Sequence, residues 1–70
     1  MNVRRYYSTR EKLKALEREL AYRRRVYPRL VASGRMSQRE ADEQVSVFEA
    51  IAQDYRNQIE VEAPSLFGRR

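Results

Sequence analysis

A four-three spacing of apolar residues runs through most of this chain and is broken once, at Ser33-Gly34. Before the break, Leu13, Leu16, Leu20, Arg23, Tyr27 and Leu30 alternate three and four apart. After it, Ala41, Val45, Phe48, Ala52, Tyr55 and Ile59 follow in strict four-three order, with Val47 and Ile51 widening the stripe on one flank. A helix turning every 3.6 residues stacks each set along one face. A half-buried strand would need a period of two, and neither segment has it. The pattern predicts two amphipathic helices and an all-α fold.

Local signals place the ends. Residues 1–7 read as a polar, basic, aromatic arm. Ser8-Thr9-Arg10-Glu11 fits a capping box, with the Ser8 hydroxyl serving the Glu11 amide and the Glu11 carboxylate reaching back. The first helix is expected over 8–33, closed by Gly34 in a left-handed conformation. Pro28 falls inside it. The missing N–H and the ring predict a kink, while Leu30-Val31-Ala32 carry the pattern onward. Ser37-Gln38-Arg39-Glu40 is a second capping box and opens a helix over 38–62. Pro64 disfavours helix in the residue before it, leaving 63–70 as a tail.

Two long helices joined by about four residues fold back as an antiparallel hairpin. Such a hairpin covers each seam on one side only, and it leaves Val26, Val47 and Ile51 off the main seams. Self-association into a homodimeric four-helix bundle is the economical remedy for a 70-residue chain. The expected core is Leu13, Leu16, Leu20, Tyr27, Val31, Ala41, Val45, Phe48, Ala52, Tyr55 and Ile59. Tyr55 carries a hydroxyl that needs a partner when buried. Arg24 or Asp54 of another chain is the partner expected for it.

Composition removes most chemistry. The chain has no cysteine and no histidine, so it lacks a disulfide, a thiolate metal site and the commonest general base. Two glycines are too few for a phosphate-cradling loop. Glu40 and Glu43 are three apart, but they lack the histidines and further carboxylates that metal sites in bundles use. No nucleophile–base pair is present. The expectation is a non-enzyme with no metal and no cofactor. Apolar runs of three residues at most exclude a membrane span, and nothing apolar follows the basic N-terminus as in a signal peptide. A cytoplasmic protein is the default.

Charge is what remains. Residues 1–35 hold eleven Lys/Arg and three Glu, a net +8, whereas residues 36–70 hold four Arg and seven Asp/Glu, a net −3. Arg10, Lys14, Arg18, Arg25 and Arg29 are spaced four, four, seven and four apart, opposite the apolar seam. At the helical rise they form a ridge about 28 Å long, with Tyr22 at its edge. The ridge suits an acidic protein surface or the phosphates of nucleic acid, since guanidinium groups donate paired bonds to both. The plain reading of the same charges is a basic helix packed on an acidic one. Arg23 and Arg24 belong to that reading, as partners for Glu43, Glu49, Asp54 or Glu60 across the hairpin.

The tail offers a second candidate. Ala63-Pro64-Ser65-Leu66-Phe67 resembles the end of the peptide by which bacterial replication and repair proteins engage the sliding clamp. Ser65, Leu66 and Phe67 match that motif. Ala63 and Pro64 do not, and its leading glutamine is missing. Leu66 and Phe67 packed back on the bundle is the structural alternative.

Arg23-Arg24-Arg25-Val26-Tyr27-Pro28, Gly34-Arg35-Met36-Ser37 and Glu49-Ala50-Ile51-Ala52-Gln53-Asp54-Tyr55 resemble small proteins encoded in phage and prophage genomes of proteobacteria. That resemblance spans the middle half of the chain. It implies a bacterial cytoplasm during infection or lysogeny, and it carries over no functional residue. The expected function is a non-enzymatic accessory protein that binds a host or phage protein through the basic ridge and the apolar tail. The alternatives are a nucleic-acid-binding protein using the ridge, or a clamp-binding protein using the tail.

Overall fold

The computed structural model describes residues 6–62. It contains two helices, α1 (Thr9–Ala32) and α2 (Gln38–Glu62), packed against each other as a hairpin. No strand occurs among the described residues. The tail residues Ser65, Leu66 and Phe67, and residues 1–5 of the basic arm, lie outside the described residues.

Each helix begins with a complete capping box. The Glu11 amide donates to Ser8 Oγ at 3.0 Å, and the Ser8 amide donates to Glu11 Oε1 at 2.8 Å. At α2 the Glu40 amide donates to Ser37 Oγ at 3.0 Å and the Ser37 amide to Glu40 Oε1 at 3.1 Å. Each box satisfies two amides that the helix itself cannot pair and puts a carboxylate at the positive end of the dipole.

α1 runs through Pro28 without stopping, so residues 29–32 stay helical and the ridge keeps Arg29. The proline removes the donor for the Arg24 carbonyl, four residues back. Pro28 is solvent-exposed, so water can reach that side of the helix. The helix ends in a Schellman turn. The Arg35 amide donates to the Leu30 carbonyl at 2.9 Å, and the Gly34 amide to the Val31 carbonyl at 3.1 Å. Gly34 has φ +81°, and a Cβ built there would meet nothing within 4 Å. The constraint on this position is therefore the backbone angle alone.

Burial follows the seams, but it is shallow. Among the described residues only Leu20 on α1 and Ala41 and Ala52 on α2 are buried. Leu13, Leu16, Tyr27, Val31, Val45, Phe48, Tyr55 and Ile59 are half-buried. All eleven expected core residues thus face inward. Of the three residues off the seams, Val47 is 56% exposed, while Val26 and Ile51 are half-buried.

Gly34→Ala should destabilise the fold by about 1–2 kcal/mol, the cost of forcing a Cβ into the left-handed region. Gly34→Asn should cost less than half of that, because asparagine tolerates this region. Urea unfolding followed by circular dichroism measures both. Equal losses for the two would mean that the backbone angle does not control the turn.

Candidate docking face of helix α1

The described cations fall into three groups: four paired arginines, the five of the ridge, and Lys12 and Arg35, which are exposed off the ridge and form no ion pair among the described residues. Among the described residues four arginines have carboxylate partners. Arg24 pairs with Glu49 across the hairpin, and Arg56 Nη2 lies 3.4 Å from Glu17 Oε2, also across it. Arg23 Nε lies 2.9 Å from Glu19 Oε2 and Arg39 Nε 3.6 Å from Glu43 Oε2, each within its own helix. Arg10, Lys14, Arg18, Arg25 and Arg29 are all exposed, and none of the five forms an ion pair among the described residues.

The plain reading, a basic helix neutralised by an acidic one, therefore holds for two rungs only. Those rungs run in opposite senses, with α1 supplying Arg24 to one and Glu17 to the other. Both pairs are about half exposed, and such pairs are worth roughly 0–1 kcal/mol each. The packing of α2 leaves the ridge untouched because the ridge lies on the far side of α1 from the seam.

Two residues inside the ridge are not basic. The seven-residue step from Arg18 to Arg25 contains Ala21 and Tyr22, both exposed, and Tyr22 retains 49% of its surface. The Arg25 guanidinium carbon sits 5.5 Å from the Tyr22 ring centroid, within range of a cation–π contact. At the N-terminal end, Lys14 and Arg18 line a shallow depression with Tyr7, Glu11, Lys12 and Ala15. The face is thus a small, partly aromatic centre with cations on both sides.

Arg23 departs from the expectation that it pairs across the hairpin with an acid of α2. It lies in the seam instead, and its side chain is only 21% exposed. Its guanidinium carbon stands 4.2 Å from the Phe48 centroid and 5.6 Å from that of Tyr27. It donates to Glu19, to the Tyr27 hydroxyl and, at 3.4 Å, to Gln44 Oε1. The aromatic face of Phe48 replaces the carboxylate as the partner across the hairpin. The signal for this was its place in the four-three series, where an arginine stem packs with apolar neighbours.

Glu40 and Glu43, the one pair spaced for chelation, are engaged in the α2 cap and with Arg39 respectively. Among the described residues no group of three or more acidic side chains converges to hold a metal ion. Among the described residues no helix is long and apolar enough to cross a membrane. Comparison with known proteins returns no match to a family model, to a curated protein or to a solved structure.

Arg23→Ala should destabilise the hairpin by about 1–3 kcal/mol, since it removes a largely desolvated cation–π contact and the guanidinium hydrogen bonds made beside it. Arg24→Ala should cost under about 1 kcal/mol. Chemical unfolding of the two variants compares them. A larger loss for Arg24→Ala would place the main bond between the helices in the charge rungs.

Proposed function

We propose that this chain is a non-enzymatic interaction protein that docks an acidic surface of a protein partner with the outer face of α1, and that it works as a homodimer. The observation that carries this reading is the division of cations. Among the described residues four arginines have carboxylate partners, whereas five cations aligned on one exposed face form no ion pair; of the remaining two unpaired cations, Lys12 and Arg35, neither lies in that row. Solvated cations in a row repel one another, and an acidic partner relieves that repulsion.

The centre of the face favours a protein over a phosphate backbone. Ala21 permits close approach of another main chain, and Tyr22 supplies amphipathic contact area beside Arg25. Tyrosine and arginine at a centre with charges around it are the composition of interface hot spots. A partner helix carrying carboxylates three or four residues apart would match the four-residue cation steps on either side. The resemblance to small phage and prophage proteins makes a host or phage protein of the bacterial cytoplasm the natural partner class. The Ser65-Leu66-Phe67 strip would add a second, apolar contact.

Nucleic acid is the second reading, favoured by the arginine content of the ridge. It makes a distinct prediction. If all five cations of one protomer neutralise phosphates of duplex DNA, log affinity against log salt should fall with a slope of roughly −4 to −5.

Affinity capture from bacterial lysate, with and without nuclease, separates the two. The expected result is a stoichiometric protein that survives nuclease. Binding to it should weaken by about tenfold or more in Tyr22→Ala, and also in Lys14→Ala/Arg18→Ala, with helicity unchanged in both. Recovery of nucleic acid alone, bound with the steep salt slope, would contradict the protein reading. Full binding by the Lys14→Ala/Arg18→Ala variant would remove the ridge from either.

A further inference from the structure

The two flanks of the hairpin are unlike. One is bridged by charge, with the Arg24–Glu49 and Glu17–Arg56 pairs linking the helices, and is open only toward the turn, where Pro28, Val31 and Val45 line a pocket. The other is an open groove with Leu16, Arg23, Phe48, Ile51 and Tyr55 along it. Val26 and Val47 extend it along the helices by their places on the helical wheel. No ion pair crosses between the helices on this flank among the described residues.

We infer that this open flank is the interface between two copies of the chain, related by a twofold axis parallel to the helices, so that α1 of each copy lies on α2 of the other. The inference rests on the self-association part of the proposed function and is independent of the ridge. Three features select a second copy as the occupant.

The first is area. Helices of 24 and 25 residues run about 36 Å, and a hairpin of two is about 20 Å wide. A second hairpin laid on this flank covers on the order of 700 Å² per copy, about 1,400 Å² in all, which is the range of stable interfaces. The second is charge. The α1 side of the flank carries Lys12, Glu19 and Arg23, a net positive charge, and the α2 side carries Glu40, Glu43, Asp54 and Glu62 by their helical positions. Stacking α1 on α2 brings opposite signs together, whereas α1 on α1 or α2 on α2 would not.

The third is register. The rungs put Arg24 level with Glu49, so two residues on and two back put Val26 level with Val47. A twofold axis along the helices preserves height, so Val26 of one copy meets Val47 of the other. Val47, 56% exposed in the hairpin, then finds an apolar neighbour. The ridge leans away from this flank, so both copies keep it in solvent.

Sedimentation equilibrium of the full chain tests this. Wild type should run at twice 8.4 kDa at micromolar concentration. Val47→Glu sits at an exposed site, so the isolated hairpin tolerates it, yet it should weaken the dimer by roughly tenfold to a hundredfold. Ser46→Glu, on the bridged flank, should leave the dimer unchanged. Val26→Lys/Val47→Glu should recover much of the lost association at low salt. A monomeric wild type of full helicity would overturn the inference. So would a dimer indifferent to Val47→Glu, or one dispersed by Leu66→Ala/Phe67→Ala instead, which would give the flank or the contact to the tail. Failure of the double variant to recover would overturn the α1-on-α2 pairing. Loss of partner capture with the dimer intact would instead count against the ridge alone.

Discussion

Leu20 on α1 and the two alanines, Ala41 and Ala52, on α2 are the only described side chains removed from water, and the hairpin is organised about them. Small residues on α2 let its backbone come close to α1. The larger seam residues above and below are then covered on one side only. A helix pair cannot do more than this, because each helix shields a single stripe of its neighbour. The rest of the chain works within that limit. Its ends are tied by two capping boxes and a Schellman turn, which hold the helices without needing a core.

The same limit explains why one arginine sits in the seam. A leucine at position 23 would leave more apolar surface on a flank already poorly covered. Arg23 lays its guanidinium over the rings of Phe48 and Tyr27 and keeps it hydrogen-bonded to Glu19 and Gln44. It closes the seam from the side, as an amphipathic residue can. The opposite flank is bridged by the Arg24 and Arg56 rungs, which are half-exposed and weak. Shape and aromatic contact hold the helices, and charge mainly sets their register.

How much of this was legible beforehand differs by level. The two helices, both caps and the left-handed Gly34 follow from short-range rules, and the structure has each of them. Periodicity placed all eleven core residues on the inward side, because it reports direction. It does not report depth, which depends on how many neighbours surround a helix, and eight of the eleven are only half-buried. The ridge was legible as a line of charges. Whether α2 would neutralise it was not, because that depends on which face α2 meets. The partner of Arg23 was misread for the same reason. An acid within reach in sequence is not within reach in space when an aromatic ring occupies the facing position. Ser65, Leu66 and Phe67 lie outside the described residues, so the tail remains a reading of sequence alone.

Arg23 is fixed in the seam, Arg24, Arg39 and Arg56 are held by carboxylates, and Arg10, Arg18, Arg25 and Arg29 form an exposed row with no ion pair among the described residues. Side-chain nuclear magnetic resonance of the arginine Nε–H groups reads that division directly. The Arg23 Nε–H should exchange slowly with water, and its side-chain protons should be shifted by the Phe48 ring 4.2 Å away. The Nε–H groups of Arg10, Arg18, Arg25 and Arg29 should exchange fast in the chain without its partner. Protection at Arg18 or Arg25 comparable to that at Arg23 would mean that the outer face of α1 is already occupied within the protein, and the docking account would be wrong.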